Sequence, residues 1–256
     1  MADLEGKTVI VTGASKGIGA CTAEAMVAAG ATVIAHYGAD RAGAEAAVRA
    51  ARPGMAHLVK ADFADMAQVD AFWDQALQIS GRVDVLVNNA GIMRQTGGIS
   101  DPIEDWDRVW AEAMTVNVLA PARLMRHAVR SWLAAGTPGS IIGIGSWVST
   151  RGSSNPGAIA YAASKAAIVA ATKTVARAHA AQGILAYVIA PGVVRTRMSE
   201  ESAARTGGEA AVTASLPMGE WVPPEEVADL AVYLARGRAR HMTGGTIDIN
   251  GAAYIR

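Results

Sequence analysis

The stretch Thr8-Val9-Ile10-Val11-Thr12-Gly13-Ala14-Ser15-Lys16-Gly17-Ile18-Gly19 decides how the rest of the chain is read. Residues 8–12 are all β-branched, which favours a strand, and a glycine ends the run. Residues 17–29 then read as a helix. Glycines between a first strand and its helix let backbone N–H groups approach a pyrophosphate at the helix N-terminus. The spacing is G-x-x-x-G-x-G, not the G-x-G-x-x-G dinucleotide fingerprint, yet the physical job is the same. Gly13, Ser15, Lys16, Gly17 and Ile18 would line such a site, and Gly19 would let helix and strand pack closely. The competing reading is a Gly-rich turn with no ligand.

Outward from this turn, short β-branched runs alternate with Ala-rich helical stretches. Strands are expected at 8–12, 32–36, 57–60, 83–87, 140–144, 184–189 and 246–249. Helices are expected at 17–29, 41–51, 66–79, 104–134, 156–180 and 224–235, with Pro121 bending or splitting the fourth. Continuously apolar strands that alternate with helices imply a parallel sheet covered on both faces. No linker, repeat or low-complexity tract interrupts the pattern. The expected fold class is therefore α/β, a single doubly wound Rossmann-type domain over residues 1–256. Residues 195–217, rich in Ser, Ala, Gly and Thr, read either as a mobile substrate loop or as a helical insertion.

Composition narrows the function classes. The 256 residues are 51% hydrophobic, enough for a substantial core, and 23 basic residues balance 23 acidic ones. Such a balance draws neither nucleic acid nor an anionic membrane surface. No apolar run approaches bilayer-spanning length, and the N-terminal MADLEGKTVIVTG lacks the layout of a secretory signal. The single Cys21 excludes an intramolecular disulfide and fits a reducing compartment; it is expected as a small apolar residue on a buried helix face. A cytoplasmic protein without nucleic-acid or membrane partners is expected.

The chemistry sits in Tyr161-Ala162-Ala163-Ser164-Lys165. Side chains at i and i+4 share a helix face, so the Lys165 ammonium is expected beside the phenol, favouring the phenolate and lowering its pKa. Such a phenol can exchange a proton with an alcohol oxygen. Ser146 follows the fifth strand, where active sites of open α/β sheets lie, and its hydroxyl could hold a carbonyl near Tyr161. Asn117 lies on an apolar helix face, where a polar group is costly unless bonded.

Thr12-Gly13-Ala14-Ser15-Lys16-Gly17-Ile18-Gly19, then Asn88-Asn89-Ala90-Gly91, Asn117, Ser146, Tyr161, Lys165 and Pro191-Gly192 come in an order that resembles the short-chain dehydrogenase/reductase family over essentially the whole chain. The resemblance implies a seven-stranded parallel sheet, often in a homotetramer, and an NAD(P)-dependent oxidoreductase acting on a small-molecule ketone or secondary alcohol. It implies that Tyr161 is the acid/base, that Ser146 stabilises the oxyanion, and that Lys165 also binds the nicotinamide ribose. Asn117 would hold a water for the proton relay. Asp62, with Phe63 beside it, would bind the adenine amino group, unless Asp62 caps the following helix. Asn89, Ala90 and Gly91 would line the adenosine side. Pro191, Gly192, Val194 and Thr196 would hold the nicotinamide.

The second strand ends His36-Tyr37-Gly38-Ala39 with no carboxylate for ribose hydroxyls. Lys16 and Arg41 are instead candidate cations for a 2′-phosphate, with Asp40 a complication if it turns inward. NADP(H) is therefore expected, with NAD(H) the alternative. Met93, Arg94, Gln95, Trp147, Val148, Ile159 and the 195–217 segment are expected around the substrate, Trp147 as an apolar wall or as loop packing. The runner-up within the family is a 3-oxoacyl-carrier-protein reductase. The expected carrier-docking stretches 134–139 and 180–183 lack basic residues, and only isolated Arg130 and Arg177 favour it. A non-catalytic nucleotide sensor is a different class, one that usually loses the Tyr or the Lys.

Overall fold

The computed structural model describes residues 3–94 and 96–255; Gln95, one of the expected substrate residues, lies outside them. Seven parallel strands form one sheet: β1 (Thr8–Val11), β2 (Thr32–Tyr37), β3 (Ala56–Lys60), β4 (Val85–Asn88), β5 (Gly139–Ile144), β6 (Ile184–Pro191) and β7 (Thr246–Ile249). Their order across the sheet is β3-β2-β1-β4-β5-β6-β7. The order reverses between β1 and β4, and in open α/β sheets ligands bind outside the carboxyl ends of the strands at that switch point.

The pleat sorts the apolar runs onto two faces. Val9 and Val11 of β1, Val33 and Ala35 of β2, Val85 and Val87 of β4, and Ile142 and Ile144 of β5 belong to one core. Ile10, Ile34 and Leu86, between them in sequence, and Ile141, just before Ile142, belong to the other. Both faces are apolar because both are covered, so the strands read as unbroken apolar runs rather than alternating ones. The helices α1 (Gly17–Ala28), α2 (Arg41–Ala47), α3 (Met66–Ser80), α4 (Ile103–Met114), α5 (Ala120–Ala135), α6 (Val148–Arg151), α7 (Ile159–His179), α8 (Arg197–Arg205), α9 (Gly208–Ala214) and α10 (Pro224–Ala235) complete the fold. Ala23 and Met26 of α1 and Val227 and Ala231 of α10 fill the first core. Phe72 and Trp73 of α3, Leu124 and Trp132 of α5 and Ile168 of α7 fill the second.

Several expectations change in detail. The second helix stops at Ala47 instead of running to residue 51. The long fourth helix is not cut at Pro121. Residues Thr115–Leu119 widen into a π-helical turn between α4 and α5, with the Ala120 N–H bonding the Thr115 carbonyl five residues back. Pro121 has no N–H to offer the Asn117 carbonyl four residues before it, and a π bulge is one way a helix absorbs such a mismatch. The 195–217 segment carries α8 and α9, the helical-insertion alternative. The single turn α6, directly after Ser146, was not expected. Cys21 is half-exposed rather than buried, and burial of its thiol with the carboxylate of Glu225 nearby pushes it up to about 11, leaving it an unreactive thiol.

Candidate active site

The Gly-rich turn is bolted to the strands on either side. Gly13 adopts φ +67°, and a Cβ there would sit 3.0 Å from the Ala90 Cα, so glycine is required both for conformation and for space. The Gly13 N–H donates to His36 Nδ1 at 2.9 Å. The Asn89 side-chain amide donates to the carbonyls of Thr12 (2.8 Å) and Gly13 (3.2 Å). The Thr12 hydroxyl accepts the N–H groups of Asn89 (2.9 Å) and Ala90 (3.0 Å) and donates to the Val87 carbonyl. Gly19 is buried, and a Cβ on it would overlap the Gly13 carbonyl oxygen and the Asn89 amide. The first helical turn after Lys16 has neither a side-chain cap nor an acidic residue, which leaves its N–H groups and its positive dipole end for an outside acceptor. A dinucleotide phosphate fits this cradle by charge and by shape. The Thr196 Cγ2 stands 3.0 Å from the place a Gly17 Cβ would occupy, so the segment after β6 closes over the N-terminus of α1.

At the end of β2, Asp40 turns away from the cleft to cap α2, accepting the Gly43 N–H at 2.9 Å. Its carbonyl accepts the Ser15 hydroxyl at 2.7 Å. Tyr37 is buried, while Gly38, Lys16 and Arg41 are exposed. Arg41 pairs with Glu45 at 2.9 Å, so of the two expected cations Lys16 is free of an ion pair among the described residues. Asp65 caps α3 through the Ala67 N–H. Asp62 is exposed and accepts the Ala64 N–H at 2.9 Å, with one carboxylate oxygen left for another donor. Phe63 is buried, stacked on His36 with ring centroids 3.8 Å apart.

Toward β5 and α7 the titratable groups converge. Ser146, Asn117 and Lys165 are buried. Lys165 Nζ donates to the Ile144 carbonyl at 2.8 Å and lies 5.8 Å from the centre of the Tyr161 ring. Burial lowers the ammonium to about 8. The expected depression of the phenol is not seen. Although Tyr161 as a residue is half-buried, burial around its hydroxyl pushes it up to about 12, and hydrogen bonding to Ser146 only partly opposes this. The Lys165 charge is spent on the Ile144 carbonyl rather than on the phenol. Asn117 makes the bonds that its apolar setting demands: Oδ1 accepts the Ile92 N–H at 2.8 Å and Nδ2 donates to the Ile92 carbonyl (2.9 Å), both in the loop after β4, while Nδ2 also donates to the Ser164 hydroxyl of α7 (3.0 Å). Ser164 in turn donates to the Tyr161 carbonyl at 2.8 Å. A Cβ on Gly91 would stand 3.2 Å from Asn117 Oδ1 and 3.6 Å from Lys165 Nζ.

The comparisons with known proteins decide the family. A family model described as enoyl-(acyl carrier protein) reductase matches residues 13–252. The chain is 38% identical to a 3β-hydroxysteroid dehydrogenase of Eggerthella lenta, over 99% of this chain and 95% of that one. It is 34% identical to a 3-oxoacyl-[acyl-carrier-protein] reductase of Vibrio harveyi, over 99% of both. A solved structure of a short-chain dehydrogenase/reductase family protein superposes with a TM-score of 0.82 at 32% identity, over 97% of each chain. This chain belongs to the short-chain dehydrogenase/reductase family. As a short-chain dehydrogenase/reductase it is an oxidoreductase of the nicotinamide-dependent class.

In this dehydrogenase/reductase Ala90, Asn117 and Lys165 line one cavity between β4 and β5, and some of the other expected residues are already engaged by the fold. Gly13, Gly17, Gly19, Ala90, Gly91, Val194 and Thr196 stand where the strand ends meet. The Asn89 side-chain nitrogen is engaged in holding the turn. Gly192 packs against Asn250, with its N–H on the Ile249 carbonyl at 2.8 Å. Pro191 accepts the Trp147 N–H at 3.0 Å. Trp147 is half-buried against Ala203, Leu216 and Trp221, so it packs on the helical insertion, and the Arg151 guanidinium lies 4.6 Å from its ring centre. Met93 is half-buried, Ile159 is exposed, and Arg94 pairs with Glu112 at 3.0 Å. Sequence reasoning passed over His36, Thr12 and Ser164. A polar residue inside an apolar strand was the available signal for His36, and a hydroxyl three residues after Tyr161 was the signal for Ser164.

Proposed function

We propose that this enzyme transfers hydride between NADP(H) and a small or medium ketone or secondary alcohol, with Tyr161 as the acid/base. The carrying observation is that Ser146, just past β5, hydrogen-bonds the Tyr161 hydroxyl of α7, that Lys165 lies beside the same ring with its Nζ on the Ile144 carbonyl at the end of β5, and that Asn117 bonds Ser164 between that pair. Gly13, Ser15, Lys16, Gly17, Ile18 and Gly19 would hold the pyrophosphate, Tyr37, Gly38 and Arg41 the adenosine ribose with its 2′-phosphate, and Asp62, Phe63, Asn89, Ala90 and Gly91 the adenine side. Pro191, Gly192, Val194 and Thr196 would hold the nicotinamide. When bound, the cofactor supplies or accepts the hydride. The chain's own residues handle the proton: Ser146 orients the substrate oxygen and stabilises its developing charge, while Tyr161 gives that oxygen a proton or takes one. Lys165 and Asn117 would restore the proton at the phenol. NADP(H) is favoured over NAD(H) because β2 ends without a free carboxylate and Asp40 is held in a helix cap.

Substrate binding falls to Ser146, Met93 and Trp147, with the segment 195–217 as its outer wall. Initial rates with NADPH and NADH across cyclic ketones, β-keto esters and steroids test the proposal. Faster turnover with NADPH supports it; loss of neither cofactor's absorbance with any ketone sinks it. The likeness to carrier-protein reductases supports a second reading, a 3-oxoacyl-[acyl-carrier-protein] reductase. Turnover of a carrier-linked 3-oxoacyl group far above that of the free ester would favour it. We further propose a cytoplasmic homotetramer with a small-molecule substrate and no nucleic-acid or membrane partner. Exposed Ile103 of α4, Leu119 of the π turn and Leu133 of α5 support assembly, and light scattering after size exclusion measures it. Among the described residues no helix is long and apolar enough to cross a membrane.

A further inference from the structure

We infer that His36 is a positioning residue for the cofactor site, a neutral imidazole that sets the Gly-rich turn against the loop on the adenine side. The inference rests on the proposed function, in which this turn holds the cofactor. His36 is buried near the carboxyl end of β2, and both ring nitrogens are engaged. Nδ1 accepts the Gly13 N–H at 2.9 Å, so that nitrogen carries no proton. Nε2 therefore carries it and donates to the Ala61 carbonyl at 3.0 Å. The ring stacks on Phe63 with an interplanar angle of 8° and meets the edge of Phe72 at 72°. Burial favours the neutral form, as this bonding requires.

The two bonds reach the two segments whose spacing matters for a dinucleotide. Gly13 opens the phosphate turn, and its carbonyl is held by Asn89 from the other side. Ala61 precedes Asp62 and Phe63. With the Asn89 bond, the peptide units on both sides of Gly13 are tied to the neighbouring strand ends, β2 through His36 and β4 through Asn89. The Gly13 N–H depends on one imidazole. A buried donor left without its acceptor is costly, and the turn can relieve that cost only by shifting, which moves the phosphate cradle.

His36→Phe keeps a ring against Phe63 and deletes both bonds, whereas His36→Asn keeps an acceptor close to the Nδ1 position. Affinity for NADPH is read by fluorescence titration well below the melting temperature, and steady-state rates are read at saturating NADPH. His36→Phe is expected to weaken NADPH binding about tenfold, with kcat and the ketone KM within about twofold, and His36→Asn to recover most of the loss. A lower melting temperature with unchanged NADPH affinity would mean that the histidine only holds the core, and overturns the inference. If His36→Phe does not fold, histidine-selective nitrogen-15 spectra of the unmodified enzyme decide. An Nε2-protonated ring whose signals move on NADPH addition supports the inference; the other tautomer, or no movement, overturns it. Failure of the unmodified enzyme to bind NADPH or NADH would defeat the cofactor reading and this inference with it, whereas tight binding by both the unmodified enzyme and His36→Phe defeats this inference alone.

Discussion

On the cofactor side of the cleft, Gly13 is held through its N–H by His36 and through its carbonyl by Asn89, and the glycines leave no room for a side chain. On the far side, Trp147 meets α8 and α9 through apolar packing, and charged residues there are exposed, with Arg195 paired to Glu209 at 2.8 Å and Arg197 to Glu201 at 2.6 Å. The first wall is built from backbone and buried amides, whose geometry tolerates little change. The second is built from side chains that can be exchanged without unmaking the fold. Under the proposed function, the cofactor and the reaction would stay fixed while the substrate wall varies, and Ser146 and Tyr161, between the walls, would take their precision from the rigid side.

The contrast between the walls predicts a descending series of effects. Tyr161→Phe should reduce turnover by about 10²–10⁴-fold with NADPH affinity nearly unchanged, measured by steady-state rates and titration; near-normal kcat would remove Tyr161 from its role. Gly19→Ala should strike the rigid wall, since its Cβ meets the Gly13 carbonyl and the Asn89 amide. A loss of about 1–3 kcal/mol in denaturant stability is expected, together with weakened NADPH binding. A variant as stable as the parent would show that the turn can shift after all.

The buried pair gives a pH signature in the cofactor-free protein. Lys165 falls to about 8 in the fold, below its unfolded value of about 10.4, so the unfolded chain binds the extra proton between them. Stability from this group therefore rises with pH across that window and is lost as pH falls through about 8. Tyr161, raised to about 12 from about 10 unfolded, has the opposite sign, and its contribution declines as pH climbs from about 10 to about 12. Denaturation midpoints against pH should show the rise, and Lys165→Met should flatten it; a rise that persists in the variant belongs to another group. Least of all, Arg195→Ala on the exchangeable wall should change stability by under about 1 kcal/mol while altering the ketone KM more than the NADPH KM. A larger loss of stability would mean that this wall is no more exchangeable than the cofactor side.

Much of this was legible beforehand because the physics is local or periodic. The apolar runs of β1, β2, β4 and β5 announced a two-sided sheet, the glycines after β1 announced a close approach of backbone, and the i, i+4 spacing of Tyr161 and Lys165 put both on one helix face. The family resemblance added the expected roles of Asn117 and Ser146, which residue type alone could not assign. Less legible were features that depend on what lies across space. The π turn at Thr115–Leu119 carries Asn117, whose bonds to Ile92 and Ser164 could be seen only once the loop after β4 and α7 were in place. Asp40 could be judged a helix cap rather than a threat to a phosphate only once α2 was in place.

The sequence by itself determined the sheet, its chain order of strands and helices, and the kinds of groups gathered at the strand ends, because burial pattern and turn chemistry are written in consecutive residues. Only the tertiary structure decided where the Lys165 charge goes, that Tyr161 is raised rather than lowered, and that His36 and Asn89 share the work of holding Gly13. Each of those depends on which carbonyl or amide from a distant strand comes within hydrogen-bond reach, and on how much water the packing removes around it.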